Sequence, residues 1–440
     1  MFQDSVDPAM LRHHGDVEAR PGMLDFAVNV RGAAPPAWLR RRLAARLDDL
    51  GRYPSAEDEA AARAAVAARH GRTPDEVLLL AGAAEGFAML PRLDPRLAAV
   101  IHPSFTEPEL ALREAGVPVT RVILERPYTL DPALVPEDAD LVVLGNPTNP
   151  TSILHPAATI QALRRPGRLV VVDEAFADAV ARDVPAPAQP VVPGEPVVPA
   201  QSAPHAEPAA HAGPAAHAQS AAHAQSAAHA RPAAHAESAA HAESAAAEAA
   251  LHSTHLSHAS PTAHADPVAD PGPTLHAEPE SLAWLSAPDV IVLRSLTKTW
   301  ALAGLRCGYV LGAPEVLARL SHGRPHWPLG TLQLEAIIAT AAPSAVVESQ
   351  RDARLIAAER TAMIDRLTAL GIDVHTPAAG PFLLVRVPDG ELVRKRLADR
   401  GIAVRRADTF PGLSPDHLRV AVRGPAEVDR LIEGLRAVLW

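Results

Sequence analysis

The chain has 440 residues, 48% of them hydrophobic but only 3% aromatic, with a formal charge of −10 at pH 7. That is enough chain for two cored domains in which Ala, Val and Leu carry most of the burial. The acidic balance argues against a nucleic-acid partner, no apolar run approaches the ~20 residues of a membrane span, and a single Cys excludes disulfide frameworks and multi-cysteine metal sites.

Residues 1–45 hold no apolar signal core. They are expected to pack with the C-terminal part of a soluble, reducing-compartment, cytoplasmic protein. Apolar runs and helical patterns then alternate. Val77-Leu80 precedes a helix pattern from Ala83 to Leu90, and Ala98-Ile101 precedes Glu107-Ala115. Val119-Leu124 reads as a short strand. Leu141-Leu144 precedes Pro156-Arg165, and Leu169-Val172 ends at Asp173. Short apolar strands separated by helices predict an α/β fold with a largely parallel, doubly covered sheet. The large domain is expected over 46–183 and 278–313.

Residues 184–277 interrupt this pattern. They contain 33 Ala, 14 Pro, 12 of the chain's 21 His and no Phe, Trp or Tyr. His recurs every six residues from His205 to His241. So little bulky apolar surface cannot offset the entropy of ordering, which predicts a disordered insertion. Two readings stand for it: weak metal binding through imidazoles, or an expanded linker with no task of its own.

After the tract come Val290-Leu293, ending at Arg294, and Cys307-Leu311. From about Pro314 a small α+β domain is expected over 314–440. It has one long helix from Leu332 to about Leu370, strands at Phe382-Val387, Ile402-Arg405 and Leu418-Val422, and a last helix from Ala426 to Leu439.

The chemistry collects at three strand ends, where parallel α/β sheets place their sites. These are Asn146-Pro147-Thr148-Asn149-Pro150-Thr151-Ser152, then Asp173-Glu174-Ala175-Phe176, then Arg294-Ser295-Leu296-Thr297-Lys298 with Gly304-Leu305-Arg306-Cys307-Gly308-Tyr309. Of 41 basic residues only Lys298 and Lys395 are Lys. Lys395, between Arg394 and Arg396, reads as helix surface. Lys298 does not. An amine, a carboxylate, an amide, two hydroxyls and an Arg on one rim suit pyridoxal 5′-phosphate. That cofactor needs a Lys, an anion at its pyridine nitrogen, and donors around its phosphate.

These segments, in this order, resemble the fold-type I, class I/II pyridoxal-phosphate-dependent aminotransferases, in the branch holding histidinol-phosphate aminotransferase and cobalamin-pathway threonine-phosphate decarboxylase. The resemblance covers about residues 10–183 and 280–440. It implies a mainly parallel seven-stranded sheet, a homodimer and a small-molecule amino-acid or amino-acid-phosphate substrate. It makes Lys298 the Schiff-base lysine and proton carrier, and Asp173 the partner of the pyridinium. Asn149 would bind the ring's phenolic oxygen, Phe105 would stack on the ring, and Ser295, Thr297, Arg306 and the backbone of Ala83 and Ala84 would hold the phosphate. Tyr53 resembles the Tyr that reaches a neighbouring subunit's phosphate. Arg419 would bind the substrate carboxylate and Arg405 a second substrate anion. His13-His14-Gly15-Asp16 resembles the branch's N-terminal substrate-side segment. Phe176 departs from a usual Tyr and Ser152 from a usual Gly.

Structural readings compete at several positions. Asp173 would serve as a helix N-cap, Asn149 as a turn former, Phe105 as core and Arg405 as solvated surface. Transamination and decarboxylation share nearly every residue named. A non-catalytic binding module of the same fold is the reading from another class.

Overall fold

The computed structural model describes residues 8–13, 15–182 and 278–440. The expected disordered tract, 184–277, and His14 lie outside the described residues.

Thirteen strands occur among the described residues. In chain order they are β1 (Leu24–Asp25), β2 (Val77–Leu80), β3 (Ala98–His102), β4 (Val119–Ile123), β5 (Leu141–Gly145), β6 (Leu169–Asp173), β7 (Val290–Ser295), β8 (Gly308–Leu311), β9 (Asp373–Val374), β10 (Phe382–Arg386), β11 (Ile402–Ala403), β12 (Arg405–Arg406) and β13 (His417–Ala421). A seven-stranded sheet has the order β2-β8-β7-β6-β5-β3-β4. The pairings from β7 through β6, β5 and β3 to β4 are parallel, and β8 runs antiparallel to both β7 and β2. The runs Leu-Val-Val-Leu and Val-Ile-Val-Leu are buried on both faces, as central parallel strands require.

This topology brings the chemistry to one edge. Strands β2, β5, β6 and β7 all end there, at Leu80, Gly145, Asp173 and Ser295. Strand β8 starts there, two residues after Arg306. Separate apolar clusters cover the two faces, one including Leu144, Val172, Val292 and Trp300, the other Phe87, Val143, Val171 and Leu293.

A second sheet, β12-β13-β10-β9, is antiparallel throughout, and β1 pairs in parallel with β11. Leu383, Leu397, Leu418 and Leu431 form its own core. Of the N-terminal segment, Phe26 joins that core, while Leu39 of helix Ala37–Ala44 packs with the seven-stranded sheet. Helices Pro314–Ser321 and Thr331–Ala341 also pack on the large sheet, beyond the expected boundary at 313.

The single long helix expected from Leu332 is two, Thr331–Ala341 and Pro343–Thr368. Ala342, at ψ 145°, is extended because the ring of Pro343 excludes helical backbone before it. A helix over Ala56–His70 was not anticipated, although Ser55 caps it by accepting from Asp58 N at 3.0 Å and Gly71 ends it at φ 66°. No helix among the described residues is long and apolar enough to cross a membrane.

Both borders of the His-rich tract are anchored. Asp178 before it and Glu278 after it share the guanidinium of Arg294, and Arg69 donates to Asp178 at 2.5 Å and to Glu278 at 3.0 Å. Arg182 stands 3.8 Å from Glu278. Ends held this close bridge easily, and loop length enters stability only logarithmically. Replacing 184–277 by a short Gly/Ser bridge is therefore expected to shift Tm by no more than about 3 °C (roughly 1 kcal/mol) and to leave turnover unchanged. Calorimetry and initial rates check this, and an insoluble or inactive product would show that the tract holds the fold together.

Candidate active site

A cavity of about 460 Å³ opens at the strand-end edge. Ten of the twelve residues singled out in the sequence line it: Ala83, Ala84, Phe105, Asn149, Asp173, Ser295, Thr297, Lys298, Arg306 and Arg419.

Asp173 closes β6. Its Oδ1 accepts from Ala175 N at 3.0 Å, yet burial pushes the carboxyl up to about 6, against the opposing pull of that bond and of Lys298. A carboxylate so short of positive partners calls for a cation in the cavity.

Lys298 follows β7 by three residues, and its carbonyl accepts from Arg31 N at 3.4 Å. The hydroxyls of Ser295 and Thr297 lie 2.8 Å apart and both residues are buried. Arg306, held at φ 62° by the turn into β8, lays its guanidinium against Gly82. A Cβ at position 82 would sit 2.8 Å from Nη2, and Gly82 itself has φ 86°, so only glycine serves there. Helix Ala83–Met89 starts directly after it.

Asn149 and Arg419 act as a pair. Arg419 Nη1 donates to Asn149 Oδ1 at 2.7 Å, which leaves the Asn149 Nδ2 donor for the cavity. Arg419 Nη2 donates to Ala27 O, while its Nε is buried without a partner. Burial and neighbouring Arg405 lower its pKa, so this guanidinium favours an incoming anion. The Asn149 loop is braced by Asn146, whose Oδ1 accepts from His155 N at 2.7 Å. His155, kept neutral by burial at about 4, contacts the Thr148 hydroxyl through Nε2.

Two expected residues lie elsewhere. Tyr53 is 75% exposed and stacks on Trp327 with ring centroids 4.3 Å apart. Arg405 does not line the cavity. It is buried beside Arg419 as its cross-strand neighbour, donating to His13 O at 2.7 Å and Thr409 Oγ1 at 2.8 Å. Phe176 lines the wall, packed edge-on against Phe382. Burial pushes the Cys307 thiol up to about 12, so it is inert packing.

The sequence reading missed Asn29, which lines the cavity almost fully buried and has an Oδ1 without a partner. Gly15, Ala27 and Val28 line the same wall. Of these, only Gly15 was signalled in the sequence, by the resemblance of His13-His14-Gly15-Asp16 to an N-terminal substrate-side segment.

The aminotransferase class I and II family matches residues 21–269 and 262–435, and the chain belongs to that family of pyridoxal-phosphate-dependent enzymes. A histidinol-phosphate aminotransferase of Mycobacterium tuberculosis is 45% identical over 420 residues, covering 96% of this chain and 89% of the relative. The threonine-phosphate decarboxylase of Salmonella typhimurium is 24% identical over 438 residues, covering 95% and 91%. The crystal structure of histidinol-phosphate aminotransferase from Sinorhizobium meliloti in complex with pyridoxal-5′-phosphate shares the fold, with TM-score 0.64, 19% identity and coverage of 93% and 90%.

The chain is a pyridoxal 5′-phosphate-dependent aminotransferase. The cavity's polar groups fit that cofactor: an amine, an under-compensated carboxylate, an amide donor, two hydroxyls and a guanidinium.

Proposed function

We propose that this enzyme moves an amino group to and from substrates bearing a phosphate or carboxylate, with histidinol phosphate as its phosphorylated substrate. The observation that carries the reading is the convergence of Lys298, Asp173, Asn149, Ser295, Thr297, Arg306 and Arg419 on one cavity. The 45% identity to a histidinol-phosphate aminotransferase over nearly the whole chain supports the substrate.

Bound in the cavity, pyridoxal phosphate would supply the electron sink that weakens bonds to the substrate's α-carbon. Lys298 would hold it through the ε-amine. Once displaced by a substrate amine, Lys298 Nζ would take and carry the proton of the substrate's α-carbon. Asp173 would keep the ring nitrogen protonated. Ser295, Thr297 and Arg306 would anchor the phosphate. Arg419 would orient the substrate's anion, which decides the bond that breaks. Tyr53 and its exposed partner Trp327 would be covered by a second copy in a homodimer.

A second reading has its own support. The Salmonella decarboxylase matches 95% of the chain, and decarboxylation of threonine phosphate would use nearly every residue named above. Product analysis separates the two. Glutamate formed from histidinol phosphate and 2-oxoglutarate supports transamination. Carbon dioxide released from threonine phosphate without glutamate would replace it.

Asp173 sets a pH dependence. In the cofactor-free protein its carboxyl titrates at about 6. The pyridinium needs the anion, so affinity is full above that pH. Below it the proton must first leave, and affinity falls about tenfold per pH unit. Cofactor retention on dialysis between about pH 8 and pH 5 reads this, and Asp173→Asn is expected to flatten the profile at the weak end.

A further inference from the structure

The segment that re-enters the fold after the His-rich tract runs behind the cavity and grips the neighbours of its key residues. Glu278 accepts from both terminal nitrogens of Arg294, the residue before Ser295. The Glu280 carbonyl accepts from Asn146 Nδ2 at 3.1 Å, and Asn146 opens the loop that carries Asn149. Ser281 Oγ donates to Glu174 Oε2 at 2.7 Å, and Leu282 N donates to Oε1 of the same carboxylate at 2.7 Å. Glu174 follows Asp173 in the chain. Glu174, Ser281 and Leu282 are all buried, and none of residues 278–282 lines the cavity.

Five consecutive residues thus tie together strand β7, at Arg294, and the two loops that leave β5 and β6. Sheet pairing fixes those strands up to their last residues, but Asn149 lies four residues beyond its strand. Side-chain and backbone bonds from a common segment supply the missing constraint. Glu280 is held at φ 52°, a left-handed conformation that a non-glycine residue keeps only when its surroundings enforce it. Its Oε2 accepts from Ala157 N at 2.6 Å, which secures the segment from the other side.

We propose that Glu278–Leu282 is a positioning strap that sets where the Asn149 amide and the Asp173 carboxylate lie relative to β7, and so the affinity for the cofactor. The proposal rests on the reading of the cavity as the pyridoxal-phosphate site. The strap touches no reacting atom and acts through Asn146, Glu174 and Arg294.

The test is a double-mutant cycle on the cofactor dissociation constant, with Ser281→Ala and Asp173→Asn. Ser281→Ala removes one hydroxyl and leaves Glu174 its bonds from Arg294 and Leu282. It is expected to weaken pyridoxal-phosphate binding about tenfold, the scale of one lost hydrogen bond to a charged group. In the Asp173→Asn background the same change is expected to cost less than about twofold, because the carboxylate it positions is gone. Ser281→Thr, which keeps the hydroxyl, is expected to restore most of the affinity. The Tm of the cofactor-free protein should fall equally in both backgrounds. An unchanged dissociation constant, or the same fold-change in both backgrounds, overturns the strap and leaves Ser281 a packing residue. A wild type that takes up no cofactor overturns the cofactor site and the strap with it.

Discussion

Lys298→Ala is expected to lose turnover by at least about 10⁴-fold and to lose the visible absorption of bound cofactor, while its Tm moves by less than about 2 °C. Lys298 sits on a strand-end loop against the cavity, so its loss leaves no hole in the apolar core. Two tasks depend on its amine: holding the cofactor covalently and carrying the α-proton. Neither passes to another residue, because the other Lys of the chain, Lys395, pairs with Glu391 on the surface of helix Gly390–Asp399. Lys298→Arg sharpens the test. A guanidinium keeps the positive charge beside Asp173 but stays protonated and is no nucleophile. If charge alone mattered, Lys298→Arg would retain activity; the same loss as alanine is expected. Colour and rate persisting in Lys298→Ala would remove the basis of the proposed mechanism.

The central sheet was legible because its strands are continuous apolar runs, a pattern that burial on both faces demands and that turn residues interrupt cleanly. The cavity was legible where chemistry is local in sequence. Lys298 and Arg306 lie on one connection, between β7 and β8, and the scarcity of Lys in an Arg-rich chain singled out Lys298. The rest depended on register and distance. Arg405 and Arg419 stand side by side across β12 and β13, but Arg405 is turned to His13 O and Thr409 Oγ1, and only Arg419 reaches the cavity. Asn29 carries no motif, and its role appears only when Leu24–Asp25 pairs with Ile402–Ala403 and swings the next residues over the site. The strap carries no motif, and its partners stand more than 100 residues away or within the next strand. The break before Pro343 was missed, because helical periodicity continues on both sides of it.

The largest stability effect is expected from Arg294→Met. Arg294 is buried in β7, and its guanidinium meets three carboxylates, Glu174, Asp178 and Glu278. Without it those acids keep as cations Arg69, which bonds Asp178 and Glu278, and Arg182, which stands farther from Glu278. Uncompensated charge in the interior costs about 3–5 kcal/mol, far above the value of an exposed pair. The urea midpoint should therefore fall steeply and Tm should drop by about 10 °C. The pH dependence carries a definite sign. Burial already holds Glu174 up at about 7 beside Arg294, whereas Glu278 is pulled down chiefly by Arg294 and Arg69 against its burial. Removing the cation takes away the pull that opposes burial, so in the folded state the Glu174 carboxyl rises further above its unfolded value and the Glu278 carboxyl rises from its depressed one. The folded variant then binds more protons, so its stability falls as pH rises through that interval. The deficit against wild type should be largest above about pH 7 and shrink toward pH 5. A deficit under about 1 kcal/mol, independent of pH, would mean that water screens these acids as it does surface pairs. The anchoring of the tract and of the strap at Arg294 would then be a consequence of the fold and not one of its causes.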